Sequence, residues 1–262
     1  MDLKLKGKTA LVCGSTQGIG KAIAEELAEL GGDVVLMARN GQSLEKTLSE
    51  LPNNDSQNHG TIQADFHNPV EVEQGINDYL KKHESPVILV NNTGGPAPGV
   101  LIEEEYSKFE ETFSAHIQCN HILAQSLVPA MKRENYGRII NVISTSVYMP
   151  IPGLGVSNTT RGAVASWAKT LSIELGQFGI TVNNILPGLT QTGRLEGLIE
   201  SKAKDANISI DEMIKIMQKD IPVGRFGKAS ETAALAGFLA SPAASYINGV
   251  SIPVDGGKTG CI

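Results

Sequence analysis

The sequence predicts one doubly wound α/β domain, a parallel sheet of about seven strands with helices on both faces. Three observations carry that prediction. Seven short apolar runs alternate with segments of helical spacing along the whole chain. The runs are apolar at consecutive rather than alternate positions, as a sheet buried on both faces requires. A chain of 262 residues, 41% hydrophobic and without a charge-rich or low-complexity half, suffices for a single core spanning 1–262.

The first run, "TALVCG" (9–14), leads into "CGSTQGIG" and the helical segment "KAIAEELAELGG". Gly14, Gly18 and Gly20 let the backbone turn sharply and approach a pyrophosphate, and the helix start supplies amide donors from Ser15, Gln17, Ile19 and their neighbours. The strand before, the helix after and the next strand on cue make this the nucleotide end of a Rossmann-type domain. The second run, "DVVLMAR" (33–39), ends in Ala38 and Arg39, where an acidic side chain would accept the ribose hydroxyls of NAD. A guanidinium suits a 2'-phosphate, so NADP(H) is favoured over NAD(H); the alternative is a solvated Arg39 with no ligand role. The third run, "TIQADF" (61–66), ends near Asp65, a candidate partner for the adenine amino group or, alternatively, the cap of the helix "NPVEVEQ".

The fourth run is "PVILVNNT" (86–93). A long helical element from about Tyr106 to Glu134 follows it, with an apolar stripe at Phe109, Phe113, Ile117, Ala124 and Leu127 that reads as core or subunit interface. The fifth run, "RIINVIST" (138–145), ends at Ser144 and precedes a loop and helix that hold Ser157, Asn158, Thr159, Thr160 and Arg161. The sixth run is "ITVNNILPG" (180–188). Residues 189–227 then break the rhythm as an insertion with helical spacing in its second half (Ile210, Met213, Ile214, Met217, Ile221). Placed after a strand's C-terminal end, it reads as a lid, or alternatively as a peripheral helical pair. The seventh run is "GVSIPVDGG" (249–257).

A net charge of -6 with no Lys/Arg cluster argues against nucleic acid or an anionic membrane as partner and for a small-molecule substrate. No apolar run reaches bilayer length. Cys13, Cys119 and Cys261 make no disulfide framework and no CxxC pair, and the start shows no signal-peptide order, so a cytoplasmic location is expected. His116, Cys119 and His121 do not share one helical face, so no metal site is expected. Ser144 has no evident base or carboxylate partner for hydrolase chemistry. Trp167 reads as core.

The glycine loop, "NNTG" (91–94), Ser144, "LPG" (186–188) and "VDGG" (254–257), in that order over essentially the whole chain, resemble the short-chain dehydrogenase/reductase family, and among its members a divergent branch of 3-oxoacyl-[acyl carrier protein] reductase-like proteins. The resemblance implies that Asn91, Asn92 and Gly94 lie beside the adenine ribose and the central sheet, and that Pro187 and Gly188 meet the nicotinamide. It implies a homodimer or homotetramer. It also implies a Tyr-xxx-Lys pair, a serine about thirteen residues before the tyrosine, and an asparagine on the preceding helix. Counting from Ser144 gives Ser157 for the tyrosine and Arg161 for the lysine, and His116 stands for the asparagine. The residues four beyond Tyr79, Tyr106, Tyr136, Tyr148 and Tyr246 are His83, Glu110, Ile140, Pro152 and Val250, so no Tyr-xxx-Lys exists.

A serine hydroxyl is a far poorer acid than a phenol, and arginine stays charged. The proton donor is therefore to be sought in Tyr148, whose alternative is an exposed or packing tyrosine, in His116 titrating near neutrality, whose alternative is a satisfied histidine on the apolar helix face, in water or in the substrate; Arg161 could hold the cofactor ribose or a substrate carboxylate, or make an ion pair or a cap contact near the helix start. Two functions follow: an NADP(H)-dependent oxidoreductase acting on the carbonyl or alcohol of a small or acyl substrate, or a cofactor-binding sensor or partner subunit without turnover.

Overall fold

The computed structural model describes residues 1–54 and 57–261. Strands β1 (Thr9–Cys13), β2 (Asp33–Ala38), β3 (Gly60–Gln63), β4 (Ile88–Asn91), β5 (Gly137–Val142), β6 (Ile180–Pro187) and β7 (Ser251–Val254) form one parallel sheet in the order β3-β2-β1-β4-β5-β6-β7. Strand order reverses between β1 and β4, which opens a crevice at the C-terminal ends of those strands, where α/β sheets bind ligands.

The helices between them are α1 (Gly18–Glu29), α2 (Gly41–Glu50), α3 (Pro69–Leu80), α4 (Tyr106–Phe113), α5 (Cys119–Glu134), α6 (Gly155–Leu175), α7 (Gly193–Ala206), α8 (Ile210–Lys219) and α9 (Ala229–Ala240). Local chemistry sets several of their ends. Asn40 and Asn68 cap α2 and α3 by accepting from the amides of Ser43 and Val70, and Pro69 opens α3 where no amide donor is needed. Asn135 ends α5 in the left-handed region at φ 47°.

Alternate side chains of the strands feed two apolar layers, as a period of two dictates. Val12, Val34, Leu36, Val90, Ile140 and Ile185 pack with Ile23, Leu27 and Leu239 of α1 and α9. Leu11, Val35, Leu89, Ile139 and Val182 pack with Ile76, Leu123 and Leu127 of α3 and α5. The expected burial on both faces fails at the sheet's edges: Gln63 of β3 and Pro253 of β7 are exposed. Proline has no amide to give a further strand, so it suits an edge.

One row of this sheet is polar. Asn91, Asn141, Asn184 and Ser251 stand opposite one another on β4 to β7. Asn91 Nδ2 donates to Asn141 Oδ1 (2.8 Å), Asn141 Nδ2 to Asn184 Oδ1 (2.9 Å) and Asn184 Nδ2 to Ser251 Oγ (3.0 Å).

One sequence expectation needs correction here, and the insertion shows more helix than its spacing gave. The long element from Tyr106 is interrupted by a π-helical segment, Ser114–Gln118, between α4 and α5. The insertion is helical in both halves: α7 precedes α8 and buries Leu195, Ile199 and Ala203, spaced one turn apart. With Met213, Met217, Ile221 and Phe226 they make a small core of their own. A backbone pinch closes the insertion's base, with Gln191 N donating to Gly227 O (2.8 Å) and Gly227 N to Leu189 O (2.9 Å).

Candidate active site

The site is built on the loops that leave the C-terminal ends of β1, β4, β5 and β6. At β1, Gly14 lies at φ 58°, and a Cβ there would sit 2.3 Å from the carbonyl oxygen of Asn92. Asn92 Nδ2 in turn donates to the carbonyls of Cys13 (3.2 Å) and Gly14 (3.3 Å), so the glycine loop and the β4 loop are locked together. Gly20 is as constrained, since its Cβ would meet Gly14 O at 2.2 Å. Gln17 precedes α1 in extended conformation and makes no side-chain cap, which leaves the first-turn amides of Gly18, Ile19 and Gly20 to an outside acceptor. Ser15 Oγ is buried without a hydrogen-bond partner. An orphaned hydroxyl beside uncapped helix amides is the donor set a pyrophosphate takes, so the residues present fit a dinucleotide. Arg39 is exposed just past β2, and Gln63 Nε2 holds its carbonyl (3.1 Å).

Asp65 lies two residues beyond β3. Its carboxylate accepts from His67 N (3.0 Å), while Asn68 caps α3, so Asp65 is not that helix's cap. Asn91 belongs to the polar row and leaves its own Oδ1 buried and unpartnered. Space is open above Gly94. Pro187 closes β6, and Gly188 N donates to Val254 O (3.0 Å), with Asp255 packed too close for a side chain at Gly188.

At β5 the strand ends at Val142, not at Ser144. Ser144 Oγ accepts from Ser146 N (3.1 Å), which leaves its proton to give. Ser157 and Arg161 lie one turn apart on α6, hence on one face, and both are buried. Arg161 is 8% exposed and spans two strand ends: Nη1 donates to Val142 O (2.8 Å) and Nη2 to Thr93 O (3.2 Å). Burial, with the charge of Arg194 adding, pushes its guanidinium down to about 10.

His116 sits in the π-helical segment, 2% exposed, with Nδ1 at 2.6 Å from Thr93 Oγ1. Burial, then the charges of Arg161 and Arg194, hold its imidazole well below 6.5. This corrects the expectation that it titrates near neutrality: His116 is a neutral hydrogen-bonding group here. Tyr148 is 44% exposed and gives its one proton to Ser251 O (2.8 Å).

The family model described as Enoyl-(Acyl carrier protein) reductase matches residues 14–259. This chain belongs to the short-chain dehydrogenase/reductase family. Among its relatives, the NADPH-dependent reductase BacG of Bacillus subtilis is 34% identical over 259 residues, covering 96% of this chain and 97% of that protein. The 3-oxoacyl-[acyl-carrier-protein] reductase FabG of Aquifex aeolicus is 30% identical, covering 98% and 99%. The crystal structure of L-sorbose reductase from Gluconobacter frateurii, complexed with NADPH and L-sorbose, superposes with a TM-score of 0.94 at 29% identity over the whole of both chains. An actinorhodin polyketide ketoreductase with NADPH gives 0.90 at 26%, covering 97% of this chain and 98% of that one. The relatives are oxidoreductases of the family, and no helix among the described residues is long and apolar enough to cross a membrane.

In this short-chain dehydrogenase/reductase the structure gathers Ser144, Ser157, Arg161 and His116 around the β4 and β5 ends, and sends the Tyr148 hydroxyl to the β7 edge. Two residues escaped the sequence. Thr93 joins His116 and Arg161 through its hydroxyl and carbonyl. Arg194, in the first turn of α7, donates from Nη2 to Pro96 O (3.3 Å) and lies over Gly95, where a Cβ would be 2.8 Å from Nη1. Its only sequence signal was an arginine at the start of the insertion.

Proposed function

We propose that this chain is an NADP(H)-dependent oxidoreductase that interconverts a small carbonyl compound and its alcohol, with a proton step that does not use a phenol. The observation that carries the reading is the glycine loop: uncapped α1 amides and an orphaned Ser15 hydroxyl for the pyrophosphate, with Arg39 where an NAD site would carry an acid. The relatives named for NADPH support the same choice.

Ser15, Gly18, Ile19 and Gly20 would hold the pyrophosphate and Arg39 the 2'-phosphate, with Asp65, Asn91 and Gly94 along the adenosine side and Pro187 and Gly188 at the nicotinamide. A dihydronicotinamide bound there would supply hydride to the carbonyl carbon, and the C=O π pair, moving to oxygen, would take a proton from water, giving the alcohol and hydroxide. Ser144 and Ser157 donate hydrogen bonds to the carbonyl oxygen. Arg161 fixes positive charge beneath the place where the oxyanion develops, which a low-dielectric site makes effective without reorganisation. Its charge replaces the stabilisation that a phenol would give by proton transfer, at a cost of about 10²–10⁴ in rate for want of a positioned acid. Exposed Phe113 and Ile173, on the α4 to α6 side, support assembly into a homodimer or homotetramer.

A second reading, a cofactor-binding sensor or partner subunit without turnover, is favoured by one observation: Tyr148 has spent its proton and His116 is neutral, so no side chain supplies a ready acid. Calorimetric titration with NADPH and NADH, on the natural chain and on Arg39→Asp, tests the cofactor. Tight NADPH binding that Arg39→Asp reverses toward NADH is expected; binding of neither overturns the proposal. Turnover of carbonyl compounds by the natural chain, compared with Ser157→Tyr/Arg161→Lys, then separates the two readings.

A further inference from the structure

Arg161 is a buried cation whose hydrogen-bond partners among the described residues are two backbone carbonyls. Guanidinium has five N–H donors, so three remain ungiven. Arg194 stands at the mouth of the same site with one carbonyl contact. Neither pairs with a carboxylate among the described residues. Acids near this end of the sheet are engaged elsewhere: Glu104 is bonded to Lys108 Nζ at 2.6 Å, and Asp255 accepts from the amides of Gly257 and Thr259. A chain of net charge -6 thus keeps two uncompensated guanidiniums on one four-residue loop, Arg161 on Thr93 and Arg194 on Pro96. Burying a charge without a counter-ion is costly, and a ligand that brings the counter-ion relieves the cost when it binds.

We infer that the substrate is a short oxo acid whose free carboxylate is received by Arg161 and Arg194 while its carbonyl faces Ser144 and Ser157. The inference rests on the reductase reading for the carbonyl, and on the geometry alone for the anion. The anion is not the cofactor's pyrophosphate, because the donors suited to that group, Ser15 and the α1 amides, lie at β1, whereas Arg161 spans the ends of β4 and β5. The guanidinium fork matches a carboxylate in shape and charge. It gives no advantage to a thioester or ester, which has no charge to offer. The reaction is unchanged: the carbonyl beside the acid gains hydride and a proton and becomes a hydroxy acid, with the carboxylate untouched.

The probes are malonate for binding and acetoacetate against methyl acetoacetate for turnover, since the last two share one ketone and differ in charge. Malonate is titrated by calorimetry into the free protein and into protein saturated with NADP⁺. Binding in both states, weakened about tenfold or more by Arg194→Met, is expected, as is a preference for acetoacetate over its ester. Arg194→Met raises KM for acetoacetate by a similar factor and so narrows the preference for acetoacetate over its ester. Arg161→Met is the stronger perturbation, but its buried position endangers folding; the exposed Arg194 keeps the test decisive. Malonate binding that NADP⁺ abolishes assigns the anion site to the cofactor and overturns the inference. Inorganic phosphate binding as tightly as malonate, no malonate binding at all, or an ester reduced as well as the acid, also overturns it. A protein that binds malonate but no NADP⁺ refutes the cofactor reading and leaves the anion site standing.

Discussion

Asn141→Leu removes the centre of the polar row. Asn141 is fully buried, accepts from Asn91 Nδ2 at 2.8 Å and donates to Asn184 Oδ1 at 2.9 Å. Leucine fills a similar volume but meets neither partner, so one donor and one acceptor are stranded on Asn91 and Asn184, themselves 3% and 4% exposed. Each stranded group costs about 1–3 kcal/mol. Burying the new apolar surface returns about 1–2 kcal/mol. Taken at the middle of these ranges, the net loss is about 2.5 kcal/mol, a large share of the roughly 5–15 kcal/mol a domain holds. Urea denaturation followed by circular dichroism reads it as a lower midpoint at unchanged slope. The triple variant Asn91→Leu/Asn141→Leu/Asn184→Leu strands none of the row's side-chain amides and leaves only Ser251, half-exposed, to water. It is expected to cost less than the sum of the three single changes. A loss under about 0.5 kcal/mol for Asn141→Leu, or strict additivity in the triple, refutes the reasoning, because penalties of stranding are by nature not additive.

Gly14→Ala puts a methyl group 2.3 Å from Asn92 O in a backbone at φ 58°; loss of more than about 1 kcal/mol of stability and of calorimetric NADPH binding is expected, and retention of tight binding would contradict the locked loop. His116 is held neutral, with its folded pKa below the unfolded value of about 6.5. The unfolded chain therefore binds the extra proton between those two values, so this contribution is intact above about pH 6.5 and is lost as pH falls toward the folded pKa. Denaturation midpoints measured against pH are expected to fall less steeply below about pH 6.5 in His116→Gln than in the natural chain, and an unchanged slope would count against a buried neutral imidazole. Tyr148→Phe is expected to change turnover by less than about threefold, because its proton already belongs to Ser251 O; a loss of about 10² or more would make Tyr148 the acid.

The parallel sheet was legible because consecutive apolar positions leave few alternatives, and the observed strands fall within the expected runs, give or take a residue or two at their ends. Edges were less so: nothing local shows that Ser144 lies past the last ladder bond, since that is settled by where β6 stops pairing. Helix α7 carried a usable signal in Leu195, Ile199 and Ala203, masked by the glycines and charges between them. The polar row was invisible because Asn91, Asn141 and Asn184 are 50 and 43 residues apart and meet only through strand register. Arg194 was hidden for the same reason, reaching a carbonyl 98 residues away. Counting from Ser144 placed Ser157 and Arg161 one turn apart, and both lie buried on α6. The neutrality of His116 was not legible, since it arises from burial and two charges that the fold delivers.

The pinched base of the insertion makes it an exchangeable cassette. With Leu189, Gln191 and Gly227 holding its ends together, the chain between them closes on itself and packs on its own small core. Lengthening or replacing a loop whose ends already meet costs little in closure entropy. The scaffold and the cassette are thus separable heritable parts. Arg161 belongs to the scaffold and Arg194 to the cassette, so exchanging the cassette replaces Arg194 and its contact with Pro96 while Arg161 stays held by Val142 and Thr93.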